Sequence, residues 1–85
     1  MVIITILEPK NHLDDEYYYK IIRKNIKKYR RLKGLTQQNL ADLADISREY
    51  ICDVENESRH KHSSIACLSR ISQALDIDIS LFFKN

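Results

Sequence analysis

The sequence predicts an all-α fold of five short helices, preceded by a short N-terminal β-strand extension. Three observations carry this expectation. Glycine and proline occur once each in 85 residues, too few for the tight turns a sheet protein needs. From Ile22 onward apolar residues recur at spacings of three and four, the period of an amphipathic helix. Thr36, Ser47, Ser63 or Ser64, and Asp78 stand where helix N-caps are wanted, just ahead of those stripes.

Apolar residues make up 44% of the chain and charged residues 31%, the balance of one small globule. Residues 1–16 read as an extension and residues 17–85 as the folded domain. A domain of this size is marginal alone, which makes a dimer the expectation. No apolar run reaches the roughly 18 residues of a membrane span. "MVIITIL" is shorter than that and lacks the basic flank and cleavage site of a signal peptide. Cys52 and Cys67 form no CxxC pair, which fits reduced thiols in a cytoplasmic protein.

"VIITIL" at residues 2–7 is β-branched and apolar and ends before Pro9, as a short strand does. It either pairs with its copy in a second subunit or stays disordered. The first helix is expected over residues 17–33, with Ile22, Ile26 and Tyr29 as its inner stripe and Gly34 as the left-handed residue beyond its end. Thr36 caps the second helix, whose apolar face is Leu40, Leu43 and Ala44. Asn39 stands where a capping box carries Glu or Gln. In Asp45-Ile46-Ser47, Asp45 turns the chain through a left-handed conformation, Ile46 points inward and Ser47 caps the third helix, with Ile51 and Val54 on its inner side. So short a turn forces the two helices to cross steeply, the geometry of helix-turn-helix. Ile65, Leu68, Ile71 and Leu75 form the fourth stripe. Asp78 opens a short fifth helix carrying Ile79, Phe82 and Phe83.

The net charge of +2 conceals an asymmetry. "KIIRKNIKKYRRLK" (residues 20–33) carries eight basic residues and no acid, whereas "ADLADISREYICDVENE" (residues 41–57) carries six acids and one Arg. The basic run is either a solvated helix face or a surface that meets phosphates.

The order Thr36-Gln37, Leu40-Ala41, Ile46-Ser47, Ile51 and Val54-Glu55-Asn56, followed by "LSRISQALDIDISLFF", resembles the lambda-repressor-like (Cro/XRE-type) helix-turn-helix DNA-binding domain. The resemblance covers residues 22–83, about three quarters of the chain. Two positions depart from the family pattern: Asp45 and Glu57 stand where the family commonly has Gly. The resemblance implies that the helix at residues 47–56 enters the major groove while the helix before it lies across the backbone. Arg48, Glu49 and Asp53 then match base-reading positions. Thr36, Gln37, Gln38, Ser47, Tyr50, Asn56 and Arg59 match or adjoin positions that meet the DNA backbone, Tyr50 also lying within reach of a thymine methyl. Arg30 and Glu55 match a partly buried ion pair tying the first helix to the third.

These residue types suit such roles. A guanidinium at Arg48 can pair with guanine O6 and N7, or with a phosphate. A carboxylate offers a guanine edge no donor but can accept from cytosine N4, so Glu49 and Asp53 would sharpen specificity while repelling phosphates. For Asp53 a solvent-exposed acid, or a partner for Arg48, is an equal reading. His60 and His62 read as loop residues near phosphates, strengthening binding below about pH 6.5 if exposed. With Cys52 and Cys67 they do not form a regular zinc spacing, and no metal or cofactor is expected. No nucleophile elbow, Gly-rich loop or HExxH motif supports catalysis.

The function expected is a sequence-specific transcriptional regulator that binds double-stranded DNA, as a homodimer on a palindromic operator. Dimer contacts would come from residues 79–83 or the 2–7 strand. The alternative is a protein-interaction module on the same fold, an antitoxin or anti-repressor. Neither reading implies a membrane or a small-molecule ligand.

Overall fold

The computed structural model describes residues 15–59 and 62–85. In chain order these form α1 (Asp15–Leu32), α2 (Gln37–Ala44), α3 (Arg48–Glu55), α4 (Ile65–Leu75) and a C-terminal 3-10 helix (Ile79–Phe83). The described chain is all-helical, as expected; residues 2–7, expected as a strand, lie outside the described residues.

One local device ends three of the helices. Gly34, Asp45 and Asp76 take positive φ values of 71°, 56° and 56°. The residue after each donates its N–H back five positions: Leu35 to Arg30 O (3.0 Å), Ile46 to Ala41 O (2.9 Å) and Ile77 to Ser72 O (3.0 Å). Each is a Schellman ending, which satisfies carbonyls the helix leaves open. Leu35, Ile46 and Ile77 then pack against the core, and the next residue in each case caps the following helix: Thr36, Ser47 and Asp78. A left-handed residue, an apolar anchor and an N-cap thus make the whole connection after α2 and after α4, and follow Lys33 after α1.

The caps are complete. Thr36 Oγ1 accepts from Asn39 N (3.0 Å) and Asn39 Oδ1 accepts from Thr36 N (3.1 Å). Asn39 therefore performs the reciprocal half of the capping box despite its shorter side chain. Ser47 and Ser64 accept from the N–H three residues on. Asp78 accepts from Ser80 N at 2.9 Å, and this bond holds its carboxyl below the usual carboxylate range. The cap therefore stabilises the folded chain at neutral pH, and its contribution is lost as pH falls through that lowered value.

Ile22 and Ile26 of α1, Leu40, Ala41 and Ala44 of α2, Ile51 and Val54 of α3, Leu68, Ile71 and Leu75 of α4, and Phe82 form the core. Asn25, buried in α1, donates through Nδ2 to Phe82 O (2.9 Å) and Lys84 O (2.7 Å) and so fastens the C-terminal turn to the first helix.

The structure revises several expectations. α1 begins at Asp15, two residues before the expected start at 17, which places Asp15 and Glu16 in its first turn, where acids favour the helix dipole. Leu43 is 61% exposed and Ile65 66% exposed. The inner stripe of α2 is Leu40-Ala41-Ala44, which leaves Leu43 on the flank, and Ile65 is the first residue of its helix and projects past the core. Phe82 is fully buried, so the region 79–83 can offer Phe83 but not Phe82 to a second copy. The last element is a 3-10 turn closed by bonds such as Leu81 N to Asp78 O (3.0 Å).

Asp76 is an L-residue in a conformation that suits glycine. Asp76→Gly should stabilise the domain by roughly 0.5 kcal/mol, the relief of strain being partly offset by glycine's unfolded-state entropy. That corresponds to a rise of about 2–4 °C in a thermal melt. Asp76→Val should lower the melting temperature instead.

Candidate nucleic-acid interface

The candidate interface is built on a helix held from behind. Arg30, near the end of α1, donates through Nε to Glu55 Oε2 (2.7 Å) and through Nη2 to Glu55 Oε1 (2.9 Å). Both residues are buried. Arg30 Nη1 reaches Leu35 O at 2.8 Å, and Gln37 Nε2 donates to Glu55 Oε1 at 3.1 Å. One guanidinium and one carboxylate thus bind α1, the turn after it, the first residue of α2 and the last residue of α3. The hydrogen bond to Glu55 raises the Arg30 pKa above its ordinary value, burial opposing it.

In front of this brace, Ser47, Arg48 and Glu49 are exposed at the N-terminal end of α3. Arg48 and Glu49 form no ion pair or side-chain hydrogen bond among the described residues, which leaves both heads open to a ligand. Asp53, one turn on, is half-buried, and the cation facing it is Arg59 at 3.6 Å rather than Arg48. Arg59, expected at the DNA backbone, is two-thirds exposed and could meet either a phosphate or Asp53.

Of the other residues expected at the backbone, Thr36 and Gln38 are exposed at the start of α2. Gln38 Nε2 is bonded to Asp42 Oδ1 (2.8 Å). Thr36 and Ser47 spend oxygen lone pairs on their caps but keep a hydroxyl proton to donate. Asn56, exposed at the end of α3, accepts from Ser58 N through Oδ1 (2.9 Å), a bond that does not use its Nδ2 donors. Gln37 is partly committed to Glu55. Tyr50 is turned inward: it packs against the core, and burial, with a hydrogen bond to Cys67, raises its phenol pKa. His62 is exposed in the loop ahead of α4, as expected, but it is not without neighbours there. Its ring stacks on Tyr19 at 4.2 Å, and Nε2 lies 3.4 Å from Glu16 Oε2. His60 lies outside the described residues.

Two buried polar residues of α1 were not anticipated. Arg23 is almost fully buried and pairs with Glu16, and Asn25 anchors the C-terminus. The available signal was Asn25 itself, a poor helix former between Ile22 and Ile26. Among the described residues no group of side chains could hold a metal ion, and no helix is long and apolar enough to cross a membrane.

A capped helix pair joined by three residues, with the second helix braced and exposed at its start, defines a helix-turn-helix protein. Comparison with known proteins agrees. The family described as Helix-turn-helix matches residues 26–82, and the chain belongs to this Cro/XRE-type family of DNA-binding transcriptional regulators, which is not an enzyme family. It is 35% identical over 65 residues to the uncharacterized HTH-type transcriptional regulator YqaF of Bacillus subtilis (strain 168), covering 76% of this chain and 83% of that protein. Among solved structures it is similar to the restriction-modification controller protein C.AhdI from Aeromonas hydrophila, with a TM-score of 0.71 and 28% identity over 76% of this chain and 96% of that one. It is also similar to the controller protein C.Esp1396I, with a TM-score of 0.69 and 30% identity over 79% and 84% of the two chains. A hypothetical transcription factor, NHTF from Neisseria, shares the fold at a TM-score of 0.72 and 22% identity over 92% and 88%.

Removing either partner of the brace leaves a buried charge. Arg30→Ala and Glu55→Ala should each cost about 3–5 kcal/mol in urea denaturation, while the double variant should cost well under the sum. Strictly additive costs would show that the two groups are not coupled.

Proposed function

We propose that this protein is a sequence-specific transcriptional regulator that binds double-stranded DNA through α3 in the major groove and acts as a homodimer on a palindromic operator. The observation that carries the reading is the exposed Arg48–Glu49 pair at the start of a helix whose far end is fixed by Arg30 and Glu55. Arg48 reads guanine through its forked guanidinium, and Glu49 accepts from cytosine N4. Asp53 adds to the readout if it leaves Arg59 on binding. Thr36, Gln37, Gln38, Ser47, Asn56 and Arg59 hold the backbone, while Tyr50, packed inward, supports α3 from behind.

The fold favours two copies. A single α3 of eight residues spans too few base pairs to select a site in a genome, and two copies would read half-sites about 34–36 Å apart. Phe83 and the exposed ring pair Tyr17 and Tyr18 are apolar surfaces open to a second copy. The absence of a membrane-crossing helix among the described residues is consistent with action in the cytoplasm.

Selection of bound sites from a random duplex pool tests the reading directly, and it should return an inverted repeat. Arg48→Ala should then weaken binding to the selected site by about 1–3 kcal/mol and relax the preference at one base pair per half-site. Glu49→Gln should gain affinity for mismatched sites more than for the matched one. Equal gains on all sequences would reduce Glu49 to charge repulsion, and failure to bind any duplex at low salt would favour the protein-interaction alternative.

A further inference from the structure

A cleft of about 640 Å³ lies between α1 and the C-terminal end of α3, away from Arg48 and Glu49. Its α1 wall carries Arg23, Lys24, Lys27, Lys28 and Arg31. Lys24, Lys27, Lys28 and Arg31 pair with no carboxylate among the described residues, although like charges three and four apart on a helix repel. Arg23 adds a second observation. Its Nη2 pairs with Glu16, but Nε and Nη1 are buried with no hydrogen-bond partner among the described residues. A buried guanidinium left two donors short is an incomplete site for an anion.

The opposite wall explains where an anion would sit. Glu55 lines the cleft but is neutralised by Arg30 and further bonded by Gln37. Glu57 also lines the cleft, but every cation that lines it belongs to α1, which makes the α1 side the positive one. Lys24, Lys27, Lys28 and Arg31 extend over about 10 Å of helix, at 1.5 Å per residue. A row of that length suits a chain of phosphates better than a single one. Gln37 and Asn56, placed at the DNA backbone by the reading above, line the same cleft.

We infer that the α1 wall of this cleft extends the backbone contact of Gln37 and Asn56 into a longer phosphate-binding site, filled by backbone phosphates of the DNA strand as it runs past the half-site held by α3. The inference rests on the DNA-binding function proposed above and extends the contact beyond the helix-turn-helix itself. The long basic run of α1 then supplies affinity that the acidic α3 cannot.

The test uses the full chain and a labelled random-sequence duplex about three helical turns long, titrated across a salt series. The cleft variant Lys27→Gln/Arg31→Gln is set against the charge-matched control Lys20→Gln/Lys84→Gln, whose residues are exposed outside the cleft. Circular dichroism melts verify that both remain folded. The cleft variant should lose roughly tenfold or more in affinity and about two from the slope of log K against log salt. The control should lose much less. Equal losses in both variants would show only a net-charge effect and overturn this inference while the wild type still binds DNA. A wild type that ignores the duplex at low salt would overturn the DNA-binding reading as well. Inorganic pyrophosphate, followed through the Cys52 and Asn56 amide signals without DNA, separates the two phosphate sources. Weak, non-saturating shifts support the strand, whereas tight saturable binding would overturn it in favour of a free phosphorylated ligand.

Discussion

The bidentate contact between Arg30 and Glu55 is the constraint on which the rest of the arrangement depends. α1 and α3 are 25 residues apart at this contact, and the helix that would enter DNA is only eight residues long. A helix of that length has little stability of its own. Its orientation must come from what it is attached to. Ile51 and Val54 hold it to the core through apolar burial, which is non-directional. The planar guanidinium adds direction, since two parallel hydrogen bonds fix both distance and angle at the end of the helix. Desolvating two charges recovers little net stability, so the gain here lies in geometry. The same guanidinium also reaches Leu35 O, and Gln37 reaches the same carboxylate. The turn before α2 and the end of α3 are thereby set against one reference point.

The short connectors supply the other half of the geometry. Each contains a left-handed residue, an apolar anchor and a cap, and none has slack. Two of the three left-handed positions are occupied by aspartate rather than glycine. Aspartate tolerates this conformation better than most L-residues, and at Asp45 its carboxylate also lies 3.3 Å from Arg70 of α4. The departure from glycine in the helix-turn-helix turn therefore leaves the turn itself intact. At Glu57, the other departure, α3 ends through an extended Asn56 instead of a left-handed residue, and Asn56 Oδ1 accepts from Ser58 N to start the loop.

Charge is divided between the two faces of this scaffold. α3 presents acids beside a single Arg, and α1 presents cations whose carboxylate partners are few. In a reader of nucleic acid these have opposite effects: acids at the base edges penalise wrong sequences and phosphates alike, while a cationic row recovers affinity irrespective of sequence. Burying Arg23 and Arg30 in α1 takes two cations out of the solvated set and gives each a structural partner in Glu16 and Glu55. The remaining basic residues of the helix stay on the outside, where long-range attraction to phosphates operates.

Much of this was legible in the sequence because it is local. Caps, left-handed turns and helical stripes are decided by hydrogen bonds and packing within about five residues, so Thr36, Asp45, Ser47 and Asp78 announced their roles, and the spacing of Ile22, Ile26, Leu68, Ile71 and Leu75 announced the core. The family pattern pointed to Arg30 and Glu55 as a pair, and to Arg48 and Glu49 as outward residues. The width of each buried stripe was not legible, because it depends on which neighbours cover its edges. Leu43 and Ile65 satisfy the helical period and yet lie in solvent, while Arg23 and Asn25 lie between apolar positions and are buried. Nor could the sequence show that Asp53 faces Arg59, that His62 stacks on Tyr19, or that Asn25 holds a carbonyl 57 residues away. Periodicity fixes the direction a side chain takes from its own helix axis; only the packing of one helix against another decides what it meets there.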